Sequence, residues 1–408
     1  MKKIYLDYAA SSPVSDGALK AMMPFFQEKF GNASSLHVFG QEASAAVDEA
    51  REVLAGAFGA SFREIIFTGS ATEANNLAIR GAIKRWRALE NQKRGESHGL
   101  PRLIITSIEH EAVLKTARDL EREGQAEATY LSVDKYGIID LGELKAALNE
   151  RTLLVSVMFV NNVMGAIQPI GEIARIISDF KRKNSKKGEE DASFYPLFHT
   201  DAVQAFQYFE CDCKKLGVDL LTISSHKIRG PKGAGALFVR GGDDFKNRII
   251  DSVITGGGQE FGFRSGTPNT AAIAGFAAAV REVVARQSEE RKKAEELKSF
   301  FIGELKKNSP GIIINGSGNA ERSASHILNV SFPKFDFSAQ ELITRLDLAG
   351  VAVSSGAACA TRSARHSYVL TAVGVPSGFA EKSIRFSFGR KTTIKELKEA
   401  AGRIGRLN

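Results

Sequence analysis

The feature that most restricts this chain is a series of short, continuously apolar runs separated by segments of helical period. The runs are Glu64-Ile65-Ile66-Phe67, Leu103-Ile104-Ile105-Thr106, Leu153 to Val157, Pro196 to Thr200, Leu220 to Ile223 and Gly235 to Val239. Between most of them lie segments such as Glu73 to Leu89 and Ile170 to Lys181, whose apolar positions recur at helical spacing. A strand that is apolar on both faces must be covered on both, and helices between the strands supply the cover. The pattern predicts an α/β fold with a mostly parallel sheet covered by helices. Past Pro268 the pattern changes. Two helices are expected, Thr270 to Ala285 and Arg286 to Lys307. Strands near Ile312 to Asn315, Ile327 to Phe332 and Ser383 to Ser387 follow, enough for a smaller α+β domain. The large domain is placed at 16–264 and the small one at 1–15 with 265–408. The polar inserts Asn91 to Pro101 and Lys183 to Phe194 are expected to loop into solvent.

A chain of 408 residues is long enough for two cores. Its 55 basic and 47 acidic residues leave a net charge of +8. The basic residues are scattered, and the run Lys181 to Lys187 passes into Glu189-Glu190-Asp191. A nucleic-acid surface needs them gathered on one face, so an anionic small molecule is the better expectation. The longest apolar stretch, Ala271 to Val280, is too short to cross a bilayer. Met1-Lys2-Lys3 could open a signal peptide, but Asp7 interrupts the apolar run that would have to follow. Three cysteines make no disulfide framework, and an unpaired thiol suits a reducing compartment, so a cytoplasmic location is expected. Cys211-Asp212-Cys213 lacks a second ligand pair, which leaves no metal site and a structural reading for both thiols.

Five motifs carry chemistry. Lys227 stands just after a buried strand, in Ser224-Ser225-His226-Lys227, ahead of a glycine-rich turn. A lysine that forms a Schiff base needs partial desolvation and a fixed backbone. Ser224 and His226 can bond a phosphate there, whereas Lys232 reads as a surface lysine. Asp201 ends another strand and can hold a pyridinium nitrogen protonated, with Gln204 three residues on. Gly69-Ser70-Ala71-Thr72-Glu73 runs from a strand into a helix N-terminus, an anion cradle without the lysine of a P-loop. His110, where a strand opens into a helix, could stack on a ring and exchange protons. Cys359 lies among small residues with Arg362 and Arg365 close in sequence, a setting that favours a mobile, accessible thiolate.

In this order the motifs resemble the pyridoxal-phosphate-dependent cysteine desulfurases of the NifS/IscS type, within the class V aminotransferases. The resemblance starts at Tyr5-Leu6-Asp7-Tyr8-Ala9-Ala10. It runs through Ala71-Thr72-Glu73, Glu109-His110, Asn161-Asn162, Asp201 with Gln204 and Ser224 to Lys227, then Arg264 to Thr267, Cys359 and Ser383-Ile384-Arg385-Phe386-Ser387. It implies a fold-type I architecture and a homodimer. Lys227 would carry the Schiff base, Asp201 would pair with the ring nitrogen and His110 would stack on the ring. Asn162 and Gln204 would bond near the ring hydroxyl, with Asn162 also at the substrate. Ala71, Thr72, Ser224 and His226 would hold the phosphate, with Thr267 reaching in from the other subunit. Arg385 would fork onto the carboxylate of L-cysteine. Cys359 would take the sulfur as a persulfide, leave alanine, and pass the sulfur to an acceptor such as an iron–sulfur scaffold or a transfer-RNA thiolation protein.

Three departures stand out. Val163-Met164-Gly165 follows Asn162 where a glutamate is usual, and Ser225 replaces a glycine. The sequence stops at Asn408, without the longer tail by which some relatives bind a scaffold, which leaves the acceptor open. The alternatives are a selenocysteine lyase, another class V aminotransferase that would not need Cys359, or a silent sulfur-relay platform on the same fold.

Overall fold

The computed structural model describes residues 3–92, 99–184, 195–242, 244, 247–355 and 367–407. The first strand, β1 (Ile4–Tyr5), stands outside the main sheet. That sheet has seven strands: β2 (Ile65–Thr68), β3 (Arg102–Thr106), β4 (Glu127–Leu131), β5 (Thr152–Ser156), β6 (Leu197–Asp201), β7 (Leu220–Ser224) and β8 (Gly235–Val239). Their spatial order is β2-β8-β7-β6-β5-β3-β4. Every pair is parallel except those of β8, which runs against both of its neighbours.

Alternate residues along each strand feed two different cores, as a two-residue repeat requires. Ile65, Phe67, Ile104, Val155, Phe198, Leu221 and Phe238 pack with the Val38–Phe58, Ile170–Asn184 and Thr270–Asn308 helices. Ile66, Leu103, Ile105, Leu154, Leu197, Leu220 and Leu237 pack on the other face, against the Ala71–Gln92 and Glu111–Arg122 helices. The mostly parallel sheet covered by helices is therefore present. The edge strand β4 was not among the expected runs, because Glu127, Thr129 and Tyr130 leave it only half-buried.

The second layer holds β9 (Ile313–Asn315), β10 (Ile327–Ser331), β11 (Val351–Ala352) and β12 (Ser383–Ser387). Strands β12, β10 and β9 form an antiparallel sheet, while β11 pairs in parallel with β1. One expectation is corrected here. The two helices expected from Thr270 to Lys307 are a single helix, Thr270–Asn308, of 39 residues. No proline or glycine interrupts it near Ala285, so only its buried face changes. Ala272, Phe276 and Val280 sit in the main core, and Leu297, Phe301 and Leu305 sit in the core under the second sheet. At about 1.5 Å per residue it is a beam of roughly 58 Å that joins both layers. Most of the two polar inserts lies outside the described residues. No helix among the described residues is long and apolar enough to cross a membrane.

The loop before that helix is pinned by a buried ion pair. Arg51 Nη1 and Nη2 each donate to a Glu260 carboxylate oxygen at 2.8 Å, and the Phe67 N–H donates to the same carboxylate at 2.8 Å. Rings of Phe62, Phe67 and Phe261 flank the guanidinium at 4.8–5.4 Å. Glu260 and Phe261 both have left-handed backbone, at φ 49° and 56°, so the clamp holds a turn that such side chains disfavour. Glu260→Ala would strand a buried guanidinium and is expected to cost about 3–5 kcal/mol in urea unfolding. A loss of under about 1 kcal/mol, as for a surface pair, would contradict this view of the loop.

Candidate active site

Strands β2, β3, β5, β6 and β7 all run in the same direction, and their carboxyl ends define one edge of the main sheet. At such an edge the chain leaves each strand for a helix, and ligands collect in the crevice. Gly69 to Thr72, His110, Asn162, Asp201 and Lys227 all follow those strand ends.

Lys227 closes a short turn, Ser225–Lys227, directly after β7. Its Nζ donates to the carbonyls of Ala9 and Ala10 at 2.6 and 2.8 Å, and Gln204 Nε2 donates to the same Ala9 carbonyl at 3.0 Å. Lys232 is exposed, as its surface reading required. Ser225 is fully buried, and a Cβ at residue 230 would lie 2.1 Å from its Oγ. Serine is thus accommodated at 225 because Gly230 has no side chain. Val163 likewise has a packing role, in a small core with Ile108, Val369 and Leu370.

Asp201 is 4% exposed. Its Oδ2 accepts from Asn75 Nδ2 at 2.8 Å and its Oδ1 from the Val203 N–H at 3.0 Å. Both partners are neutral, and no ion pair joins Asp201 among the described residues. A buried carboxylate so placed calls for a cationic N–H from a ligand.

At the head of the Ala71–Gln92 helix, Ser70 Oγ accepts from the Glu73 N–H at 3.2 Å. Glu73 in turn accepts from the Gly69 N–H at 3.0 Å and pairs with Arg264 Nε at 2.7 Å. Strand β8 passes so close that a Cβ on Gly235 would lie 2.6 Å from the Ser70 carbonyl carbon. Ala71 is half-buried and Thr72 exposed, with Ser224 buried at the end of β7. His226 Nδ1 lies 3.3 Å from Ser11 Oγ, and burial, then Lys227 and Lys232, hold its pKa down to about 4. It is therefore a neutral hydrogen-bonding group at pH 7. His110 Nδ1 accepts from the Ala112 N–H at 3.1 Å and caps the Glu111–Arg122 helix, which assigns the ring proton to Nε2. Thr267 is exposed.

Arg385, on β12, is 2% exposed. One Nη pairs with Asp7 at 2.8 Å and the other donates to the Asn162 carbonyl at 2.9 Å. The fork is thus already engaged by the protein. Its Nε, however, is buried without a partner, and so is Asn162 Oδ1. A small molecule carrying both an anionic acceptor and a donor would satisfy the pair. Asn161 is structural: its side chain donates to the Ile108 carbonyl and accepts from Val163 and Met164 N–H groups.

Sequence reasoning missed Asn75 and the pairing of Asp7 with Arg385. Asn75 is the fifth residue of the Ala71–Gln92 helix, and its side chain reaches Asp201. Cys359 lies outside the described residues. Both flanks of its segment are tied to the site: Arg385 N–H donates to the Ser354 carbonyl at 2.6 Å, and Tyr368 OH to the Glu109 carbonyl at 2.5 Å.

These groups fit the cofactor that the resemblance implies: an amine, a buried carboxylate lacking a cation, and a helix N-terminus for a phosphate. The comparisons agree. A family described as aminotransferase class-V matches residues 4–399. The chain is 40% identical to the cysteine desulfurase IscS of Dictyoglomus turgidum, covering 97% of this chain and 92% of that one. A solved NifS-like protein is similar with a TM-score of 0.85 at 35% identity, covering 99% of this chain and 98% of its own. The structure of SspA in complex with cysteine gives a TM-score of 0.77 at 33% identity, covering 94% of this chain and 98% of its own.

A cleft beside Lys227 is lined by Gln204, Tyr208, Arg229, His326 and Arg390. His326 stacks on Tyr208 with ring centroids 4.0 Å apart, and neither ring nitrogen has a partner. Burial, then Lys298 and Arg385, lower its pKa from 6.5 to about 3. Between those values the unfolded chain holds a proton that the native state excludes, so native stability falls as pH drops through the window. His326→Phe is expected to make unfolding free energy less steep between pH 6.5 and 4, by up to about 1.4 kcal/mol per pH unit. An unaltered slope in denaturant titrations would contradict the burial argument.

Proposed function

The chain belongs to the class V aminotransferase family and, within it, to the cysteine desulfurases, and on that footing we propose that it converts L-cysteine to L-alanine and carries the sulfur as a persulfide on Cys359. The observation that carries this reading is the convergence of Lys227, Asp201 and the cradle at Ser70 on one sheet edge, next to the buried unpartnered Arg385 Nε and Asn162 Oδ1. The family's cofactor, pyridoxal phosphate, supplies an electron sink at the substrate α-carbon.

The rest is the chain's own work. Lys227 Nζ would hold the cofactor and move a proton at the substrate. Asp201 would keep a proton on the cofactor's ring nitrogen, with Asn75 fixing the carboxylate that does so. The N–H groups at Ala71 and Thr72, with Ser224 and His226, would hold the phosphate, while Gln204 and Asn162 would bond near the ring hydroxyl. His110 would stack on the ring and offer Nε2–H to it. Arg385 and Asn162 bind the carboxylate end of cysteine. Cys359 Sγ, as thiolate, attacks the substrate sulfur: the S–S bond forms, the C–S bond breaks, and its electron pair and a proton remain with alanine.

Association into a homodimer belongs to the same reading. Phe26, Phe30, Leu36, Val38 and Phe39 are all exposed, Leu36 to 91%. A single chain leaves so large an apolar patch uncovered only where another surface meets it. The exposed Thr267 would then serve the partner's phosphate site. The reading also keeps the division of the chain into 16–264 and 1–15 with 265–408, a reducing cytoplasmic setting, and a protein acceptor for iron–sulfur assembly or thiolation. Buried, unpaired Cys211 and Cys213 suit that setting.

Cys359→Ser is expected to bind cysteine and retain the cofactor's colour, yet release almost no sulfide or alanine. Mass spectrometry of the wild type after limited cysteine should find one extra sulfur on the peptide bearing Cys359. Extra sulfur on Cys211 or Cys213, or normal sulfide release by the variant, would overturn the assignment. Asp201→Asn should retain cofactor while turnover falls sharply, and a fully loaded variant with unchanged turnover would refute the role of that carboxylate.

A further inference from the structure

A second carboxyl shares the interior with Asp201. Glu109, just before His110, is fully buried. Its Oε1 accepts from Thr106 Oγ1 at 2.8 Å and from the Met158 N–H at 2.7 Å. Its Oε2 is equally shielded from solvent and has no hydrogen-bond partner. One oxygen therefore takes two donors and the other none, the asymmetry of a carboxylic acid with its proton on the second oxygen. An ionised group would leave an anionic oxygen buried without a donor.

The surroundings offer no compensating charge. Asp201 faces Glu109 from β6 and repels a second anion. Thr106 at the end of β3 and Met158 beyond β5 present neutral groups, and Tyr368 from the Tyr368–Ala372 helix bonds to the Glu109 main-chain carbonyl. Neutral His110 is its neighbour in the chain. Among the described residues no lysine or arginine pairs with it.

We propose that Glu109 is a positioning residue whose carboxyl is neutral, with the proton on Oε2, so that Asp201 alone holds an unpaired negative charge in the sheet's interior. The neutral acid still ties the end of β3 to the segment beyond β5, and so fixes His110 relative to Asn162. Its consequence for Asp201 rests on the function proposed above, whereas the proton assignment goes beyond that reading. Burial, with Asp201 adding to it against the two hydrogen bonds, raises the Glu109 pKa from 4.5 to about 8.

The test compares the protein as purified with Glu109→Gln, which preserves the shape and both bonds to Oε1. At pH 7 the infrared difference spectrum should show the carbonyl stretch of a protonated carboxylic acid in the wild type only. Linkage gives a second readout. Above pH 4.5 the unfolded chain releases a proton that folded Glu109 must keep, so wild-type stability declines as pH rises toward about 8. The glutamine variant escapes this decline. Its melting temperature relative to wild type should therefore rise by several degrees between pH 5 and 8. No acid carbonyl band at pH 7, or a melting difference that stays flat with pH, would overturn the assignment. Neither readout depends on turnover, so failure of the desulfurase reading would leave this one standing.

Discussion

The hydrogen bonds from Lys227 Nζ to the carbonyls of Ala9 and Ala10 join the two layers of the molecule at the place where the chemistry is proposed. Lysine 227 comes from the end of the main sheet, and the carbonyls come from a segment committed to the second layer. That segment starts as β1 on β11, bridges from Asp7 to Ser387, and gives the Asp7 carboxylate to Arg385. A few residues later Ser12 donates to the His226 carbonyl and accepts from the Arg229 N–H. One extended stretch thus fixes the amine of one layer against the guanidinium of the other.

Electrostatics around this junction depends on what the interior leaves unpaired. Asp201 takes only neutral donors, and Arg385 Nε and Asn162 Oδ1 take none. Burying such groups is costly, and a fold keeps them where a ligand completes them. Paired groups hold the surrounding frame: the Arg51–Glu260 clamp is bidentate, and His199 is bonded by Ser156 and Thr222 across three neighbouring strands.

The sheet was legible in the sequence because its strands are apolar on both faces, a pattern that survives without any knowledge of neighbours. Strand β4 was not, since Glu127 and Thr129 at a half-exposed edge look like loop. The long Thr270–Asn308 helix was divided because its composition changes where it passes from one core to the other, although its backbone does not. Among site residues, those that follow a strand end announced themselves by position: Lys227, Asp201, His110. The engagement of Arg385 with Asp7 could not be read, since 378 residues separate the partners and only folding brings them to 2.8 Å. Glu109 was quoted only as the neighbour of His110, because burial and a missing donor leave no mark on composition.

The account depends most on which amine the cofactor engages. Borohydride reduction of the cofactor-loaded protein, followed by peptide mapping, reads this directly. The label is expected on the peptide bearing Lys227, and Lys227→Ala should lose both the label and the cofactor's absorbance band. A label on Lys232 or on any other lysine, with Lys227 unmodified, would contradict the site described above.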